Sequence, residues 1–469
     1  MRTLRSGALC SALALITLGP RPAAPAAGLG APGGPDLEDV NVVVICIDTF
    51  GAEHAGAFLN PELAHTPHMD ALAARGVVFR RAYAPSPWTQ PSVASLFTGS
   101  MPSRHGIMQM TDVLRDHQVT LAEAFKERGF VTGAVISNFI LRPRFGFSKG
   151  FDSYQTRPAL ASAAGITSAK VTDRSIEWIK RNADSRFFLF AHYFDPHYAY
   201  MHHPEFDRTS NYEGSLRPAM PIGKLRDARN DLTPEDVRYL IDLHHEEIAF
   251  TDAQIGRLLG FLREQGLEEK TLVVLTSDHG EEFMRHGWIG HTRTLYEELL
   301  HVPMIVSLPG TFGPATVDDP VSLVDVKPTL LAMSSVADDA PCDGFSLLPY
   351  LLGTGAPAAG RMMLGEVSAV PVNKDKFAHE KIAFKTSLLS GSMKVIHDLS
   401  GDTWELYDLA NDPEELNDLA ASGHEAFAEL RANLETWEEV RAPEGEAGGA
   451  PSELSDEELE RLRQLGYVK

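Results

Sequence analysis

Four stretches of the chain are apolar almost without interruption, Val42–Ile47, Val131–Ile136, Phe187–Ala191 and Thr271–Thr276, and Val77–Tyr83, second in chain order, reads as a further strand. Runs of this length with no polar alternation predict strands covered on both faces, as in a parallel sheet. Helical patterns lie between them. Thr66-Pro67-His68-Met69-Asp70 opens a short helix reaching Arg75, Leu121–Arg128 is closed by Gly129, and Val171–Ile179 is amphipathic. Thr233-Pro234-Glu235-Asp236 combines a cap residue with a first-turn proline. A stripe through Val237, Leu240, Ile241, Ile248, Ile255, Leu258, Leu259 and Leu262 continues that helix as core packing. Strands alternating with helices define an α/β fold, whose ligands bind beyond the carboxyl ends of the strands.

From Arg361 the pattern changes to short strands, Ala383–Leu389, Met393–His397 and Glu405–Tyr407, which predict a small antiparallel sheet. A helix over about 425–440 follows, and Ser455–Glu458 forms a capping box for a last one. The expected division is a signal peptide at 1–27, a Gly/Pro/Ala linker at 28–38, a main domain at 39–355, an α+β subdomain at 356–440, and a linker with terminal helix at 441–469. Internal repeats are absent.

With 469 residues, 43% hydrophobic and 23% charged, the composition is that of a folded soluble protein. The net charge of -22 excludes nucleic acid or an anionic membrane as the main ligand. Any anionic substrate therefore needs local positive charge or a metal. Arg2 and Arg5 precede the apolar run Ala8–Leu18, and small residues at 23–27 follow. This reads as an export signal placing the protein in the periplasm or outside the cell, with an uncleaved anchor as the alternative. No lipoprotein box precedes Cys10, and no other segment reads as membrane-spanning. Cys46 and Cys342 are no disulfide framework, and Cys46 reads as a buried thiol.

The polar residues that end the apolar runs carry the candidate chemistry. Asp48-Thr49 ends the first strand, Ser137-Asn138 the third, His192 to His197 the fourth, and Ser277-Asp278-His279-Gly280-Glu281 the fifth. Taken singly, Asp48 suits a turn cap and His192 a buried position beside the sheet. His202 and His203 read as surface residues, and Arg104-His105-Gly106 as a structural turn. The loop Ser86-Pro87-Trp88-Thr89-Gln90-Pro91 leads to a helix expected at Ser92–Phe97, with Thr89 just ahead of its N-terminus, where backbone N–H groups favour an anion.

Thr89-Gln90-Pro91-Ser92-Val93, then Leu96-Phe97-Thr98-Gly99, resembles the C-x-P-S-R…L-x-T-G signature of the sulfatase family, within the alkaline-phosphatase superfamily. Thr89 stands where those enzymes have the Cys or Ser oxidised to formylglycine, and Val93 replaces the arginine. The order of the Asp-ended strand, the T-P-h-h-D helix and the signature loop is similar to the opening of sulfatases. The segment His192-Tyr193-Phe194-Asp195-Pro196-His197 looks like the H-Y-x-D-P-H of bacterial sulfatase-like proteins. The run from Thr276 through His286-Gly287, His291 and Leu295-Tyr296-Glu297-Glu298 to Val306 resembles the second sulfatase block. Leu406–Leu409 and Asp412–Glu415 resemble the family's C-terminal subdomain. The Lys-x-His pair expected after the third strand is replaced by Ser137-Asn138-Phe139, and the family's second Asp by Thr49.

The resemblance implies an alkaline-phosphatase-like sandwich and an exported, metal-dependent hydrolase of sulfate or phosphate esters. Asp48, Thr89, Asp278 and His279 are the expected ligands of one divalent metal, calcium by resemblance, with manganese or zinc also suited to the donors. Thr89 is the expected nucleophile with no formylglycine, His197 or His291 the acid for the leaving alcohol, and Asn138 a substrate contact. A phospho-head-group transferase and an inactive binding protein on the same scaffold are the alternatives.

Overall fold

The computed structural model describes residues 40–56, 58–61, 63, 65–156, 166–333, 342–355, 361–369, 383–441 and 455–456. The expected signal peptide with Cys10, the 28–38 linker and all of the 441–469 segment except 441, 455 and 456 lie outside these residues.

The first six strands are β1 (Asn41–Ile47), β2 (Val77–Tyr83), β3 (Val131–Ile136), β4 (Ser153–Gln155), β5 (Phe187–Tyr193) and β6 (Thr271–Ser277). A hairpin of β7 (Glu282–Phe283) and β8 (Ile289–Gly290) follows, then β9 (His301–Ser307), β10 (Ala315–Val317) and β11 (Val321–Ser322). Among the described residues, nine of these form one sheet in the order β10-β2-β9-β6-β1-β5-β3-β4, with β11 also paired to β2. Strand β9 runs against both neighbours, and every other pairing is parallel.

Helices α1 (Pro67–Ala73), α2 (Thr89–Thr98), α3 (Pro102–His105), α4 (Leu121–Glu127), α5 (Ser168–Asn182), α6 (Ile222–Ala228), α7 (Pro234–Glu264), α8 (Glu297–Leu300) and α9 (Val326–Met333) surround it. Strand β1 explains why the apolar runs have no polar alternation. Its Val42, Val44 and Cys46 pack in one core with Val93 and Phe97 of α2, Phe125 of α4 and Leu330 of α9. Its Val43, Ile45 and Ile47 pack in the other with Met69 of α1, Ile179 of α5 and Ile255 of α7. Each face of the strand is covered by helix, so each position must be apolar. Helix α7 starts with the expected cap residue and first-turn proline, and Thr233 and Asp236 bond each other's backbone N–H as a capping box. Neither Cys46 nor Cys342 is in a disulfide among the described residues.

Two boundaries differ from expectation and both bear on the site. Helix α2 begins at Thr89 rather than Ser92. Pro91 is tolerated inside it because first-turn N–H groups have no helical partner to lose. Strand β5 runs on through His192 to Tyr193, which puts His192 inside the sheet's hydrogen-bonded register.

Helix α10 (Leu348–Leu351) precedes the second sheet, β12 (Met362–Ala369), β13 (Ala383–Ser390), β14 (Met393–Asp398) and β15 (Thr403–Asp408), antiparallel in chain order. Helix α11 (Ala426–Val440) covers one face, packing Leu430, Leu434 and Trp437 on Leu388, Val395 and Leu406. The other face packs Met363, Val367, Leu389 and Ile396 against Tyr83, Trp88, Leu295 and Leu300 of the main unit. The Glu366 N–H donates to the Pro85 carbonyl at 2.9 Å, so the small sheet braces the loop leading to Thr89.

Candidate active site

Parallel register brings four strand ends together. Cys46 of β1 lies opposite His192 on one side and Thr276 on the other, and Ile136 of β3 lies opposite His192. Asp48, Asp278 and Asn138 therefore leave adjacent strands beside His192. The Asp48 N–H donates to the Tyr193 carbonyl at 2.8 Å and the Asp278 N–H to the Ile47 carbonyl at 3.3 Å. Gly280 allows the following turn: a Cβ there would sit 1.9 Å from the Glu298 carbonyl oxygen. Thr49 has φ 54, a conformation costly for a β-branched residue.

The Asp48, Thr89, Asn138, His192, Asp278 and His279 side chains are all buried. Asn138 Nδ2 donates to Asp48 Oδ2 at 2.7 Å and to Thr89 Oγ1 at 3.4 Å. Thr89 Oγ1 is 3.3 Å from His279 Nε2. His279 Nε2 is in turn 3.5 Å from Asp48 Oδ1 and 3.7 Å from Asp278 Oδ2. His192 Nε2 is 3.7 Å from Asp48 Oδ2 and 3.9 Å from Asp278 Oδ2. Ser137 Oγ donates to the His192 carbonyl, and Ser92 Oγ donates to the Asp278 carbonyl at 2.5 Å.

Asp48 Oδ1, Asp278 Oδ2 and His192 Nε2 are buried with no hydrogen-bond partner. Ligand atoms of Asp48, His192 and Asp278 lie within 4.8 Å of one another. Burial and the neighbouring Asp278 carboxylate push the Asp48 carboxyl well above its usual range, against the Asn138 hydrogen bond. Two converging carboxylates with spare lone pairs are costly to bury alone, and a divalent cation would offset that cost. The side chains present fit such an ion. They supply carboxylate oxygens and imidazole nitrogens rather than oxygen alone.

Of the residues expected to act together, Asp48, Thr89, Asp278, His279 and Asn138 converge. Asn138 supports Asp48 and Thr89 directly. His197 and His291 line an adjoining wall, their rings 4.9 Å apart, with the His279 ring 4.5 Å from that of His291. His197 Nδ1 lies 2.7 Å from the Tyr198 carbonyl and His291 Nδ1 2.9 Å from Glu281 Oε1. Burial holds both rings well below the usual histidine range. Burial also lowers His279, against the Asp278 charge.

Sequence reasoning had put His192 beside the sheet as a packing residue. It is buried there, yet its ring faces both carboxylates. His203 is also buried, stacked on Phe250, rather than at the surface. Its N–H and His202 Nδ1 both meet Glu246 Oε2, at 2.9 and 2.8 Å, which pins that loop to α7. His105 is structural, bonded to Ser95 Oγ at 3.0 Å and to the Pro91 carbonyl at 3.1 Å.

An α/β/α sandwich with acidic and imidazole side chains gathered at its strand ends places the chain in the alkaline-phosphatase superfamily. The sulfatase family model matches residues 40–336, and the model for the N-sulphoglucosamine sulphohydrolase C-terminal region matches 284–441. The chain belongs to the sulfatase family and is an ester hydrolase of that family. It is 28% identical to arylsulfatase A of Homo sapiens over 373 residues, covering 67% of this chain and 68% of the relative. Two solved structures share the fold. One is a protein in complex with its substrate D-glucosamine-2-N,6-O-disulfate, at TM-score 0.72 and 20% identity, covering 87% of this chain and 99% of that one. The other is a phosphonate monoester hydrolase of Agrobacterium radiobacter, at TM-score 0.70 and 21% identity, covering 88% and 100%.

Proposed function

We propose that the chain is an exported metal-dependent hydrolase of sulfate or phosphate esters with Thr89 as nucleophile. The observation that carries this reading is the position of Thr89 Oγ1. It lies at the N-terminus of α2, within reach of Asn138 and His279, at the edge of the unsatisfied Asp48–His192–Asp278 group. Asp48, Asp278, His192 and His279 would hold the cation, and two imidazoles among four ligands favour manganese or zinc over calcium. Bound there, the ion would lower the pKa of the Thr89 hydroxyl and offset the charge of the ester oxygens.

The protein's own groups account for the rest. The Asn138 amide orients Thr89 Oγ1, and the α2 N-terminus favours negative charge beside it. Thr89 Oγ1 bonds to the phosphorus or sulfur as the bond to the leaving alcohol breaks. His197 Nδ1 faces a carbonyl, which only accepts, so its proton sits there and Nε2 is the nitrogen that trades protons. At rest the ring is neutral. It takes up the nucleophile's proton and returns it to the departing oxygen. Threonine cannot release the anion by breaking its own C–O bond, as an aldehyde hydrate can. Water must instead attack the phosphorus or sulfur of the threonyl ester, which favours phosphate and phosphonate esters over sulfates.

Aryl sulfates, phosphate mono- and diesters and phosphonates assayed with Ca, Mn and Zn, against a Thr89→Ala control, test this reading. Metal-dependent turnover lost in the control supports it. Turnover no greater than the control's leaves a binding protein, and transfer to an added alcohol or lipid acceptor in place of hydrolysis makes it a transferase.

Export is supported by the Arg2–Ala27 pattern. Among the described residues no helix is long and apolar enough to cross a membrane.

A further inference from the structure

The β7–β8 hairpin delivers His291 to the site, and the residues around it on the same segment are cationic and aromatic. Trp288 lies three residues before His291 and Arg293 two residues after it. The Arg293 guanidinium lies over the Trp288 ring at 4.3 Å. Arg226 of α6 and Arg229 just beyond that helix approach the same ring, at 5.1 and 5.3 Å. Three guanidiniums thus share one indole in a chain of net charge -22.

This arrangement is built into the fold. Gly290 has φ +107, a conformation that favours glycine, and a Cβ there would sit 2.4 Å from Arg226 Nη2, so the guanidinium packs directly over its bare Cα. Arg226 Nε donates to the Ile289 carbonyl at 2.9 Å, and Arg229 Nη1 to the Arg226 carbonyl at 2.6 Å. Arg226 also lies 5.4 Å from the Tyr198 ring, which stacks on His291 at 5.2 Å. Among the charges around Glu281, which is buried and engaged by His291, Arg226 acts most strongly. The cluster therefore adjoins the proposed leaving-group side, with Trp288 and Arg293 at most about 10 Å of extended chain from His291. Arg293 is exposed, while Arg226, Arg229 and Trp288 are half-buried, so the cluster opens to solvent.

We propose that Arg226, Arg229, Arg293 and Trp288 form a subsite for a second anionic group, carboxylate or sulfate, on the leaving-group part of the ester. Guanidiniums bind such groups through paired N–H donors, and the indole face keeps the three cations oriented. The preferred substrate is then a dianion whose second charge lies on the leaving group, across a ring or sugar. This inference rests on the ester-hydrolase reading of the adjoining site.

The test compares phenyl phosphate with 4-carboxyphenyl phosphate, and their sulfate counterparts, on the wild-type enzyme and an Arg229→Gln/Arg293→Gln variant. The wild type should prefer the carboxylated ester by about tenfold or more in kcat/KM, with salt narrowing the gap. The variant should bring that ratio to about one. A structural role alone would change both esters equally and leave the ratio intact, which overturns the proposal. The exposed Arg293→Gln change alone, and the salt dependence of the wild type, decide the matter if the double variant does not fold. Calorimetric titration with benzylphosphonate and 4-carboxybenzylphosphonate separates the two readings. If no ester is turned over, tighter binding of the carboxylated compound still supports the subsite, and equal affinity overturns it.

Discussion

Two groups of buried carboxylates, one at each end of the chain segment from Asp278 to Glu298, have different surroundings. Behind α8, Lys394 Nζ lies 3.0 Å from Glu297 Oε1 and 2.9 Å from Glu415 Oε1. Tyr83 donates to Glu297 at 3.2 Å, and the Glu297 N–H to Glu415 at 2.5 Å. Burial opposes the lysine's charge, yet the two glutamates still raise its pKa. At the strand ends, Asp48 and Asp278 face each other with imidazoles and, among the described residues, with no lysine or arginine ion-paired to either. The first group contains its cation as a side chain, while the second, on the reading proposed above, would take a cation from solution. The difference teaches that unsatisfied oxygens at a strand end mark a binding site where the same oxygens around a lysine mark only a brace.

The largest expected effect separates the two directly. Lys394→Met leaves Glu297 and Glu415 buried without a counter-charge and should cost about 3–5 kcal/mol in denaturant unfolding, with or without added metal. A loss below about 1 kcal/mol would erase the contrast. Next, manganese at a hundred times its dissociation constant should stabilise the wild type by about 2.7 kcal/mol. Asp278→Asn should abolish that increment in the same titration.

A third buried carboxylate sharpens the comparison, because among the described residues no lysine or arginine is ion-paired to it. Glu366 accepts from Ser103, N–H and Oγ both at 2.7 Å, and burial pushes it up to about 7 from a usual 4.5. A carboxyl raised on folding favours the folded state below its unfolded pKa, and that advantage is lost as pH rises through the folded one. Between pH 5 and 8 this group should remove about 2.5 kcal/mol of stability. Glu366→Gln should lack that part of the pH dependence. Equal slopes for the two proteins would contradict it. The smallest effect is expected for Asp48→Asn in chelator-treated protein. Relieving the carboxylate pair should change stability by about 1 kcal/mol or less, upward. A large loss would mean that Asp48 braces the fold.

The features legible in the sequence were those carried by chain-local pattern. Buried runs betrayed the parallel strands, and polar residues directly after them put Asp48, Asp278 and His279 at strand ends, while their grouping as one site came from the family resemblance. His192 escaped because it lies inside a strand, where a histidine is ordinarily packing. Only the register of β5 against β1 and β3 turns its ring toward the two aspartates. The start of α2 was displaced because proline reads as a break, although the first turn tolerates it. The 204–232 segment has no clear periodicity, so neither α6 nor the approach of Arg226 to Trp288 could be anticipated.

The central claim is that Asp48, His192 and Asp278 hold one divalent cation beside Thr89. Equilibrium dialysis of chelator-treated protein against manganese, zinc and calcium, with metal counted per chain, tests it most directly. The account predicts one ion per chain in the wild type and in Thr89→Ala, and none in the Asp48→Asn/Asp278→Asn double variant. A folded wild type that takes up no ion, or a double variant that takes up as much, would contradict it.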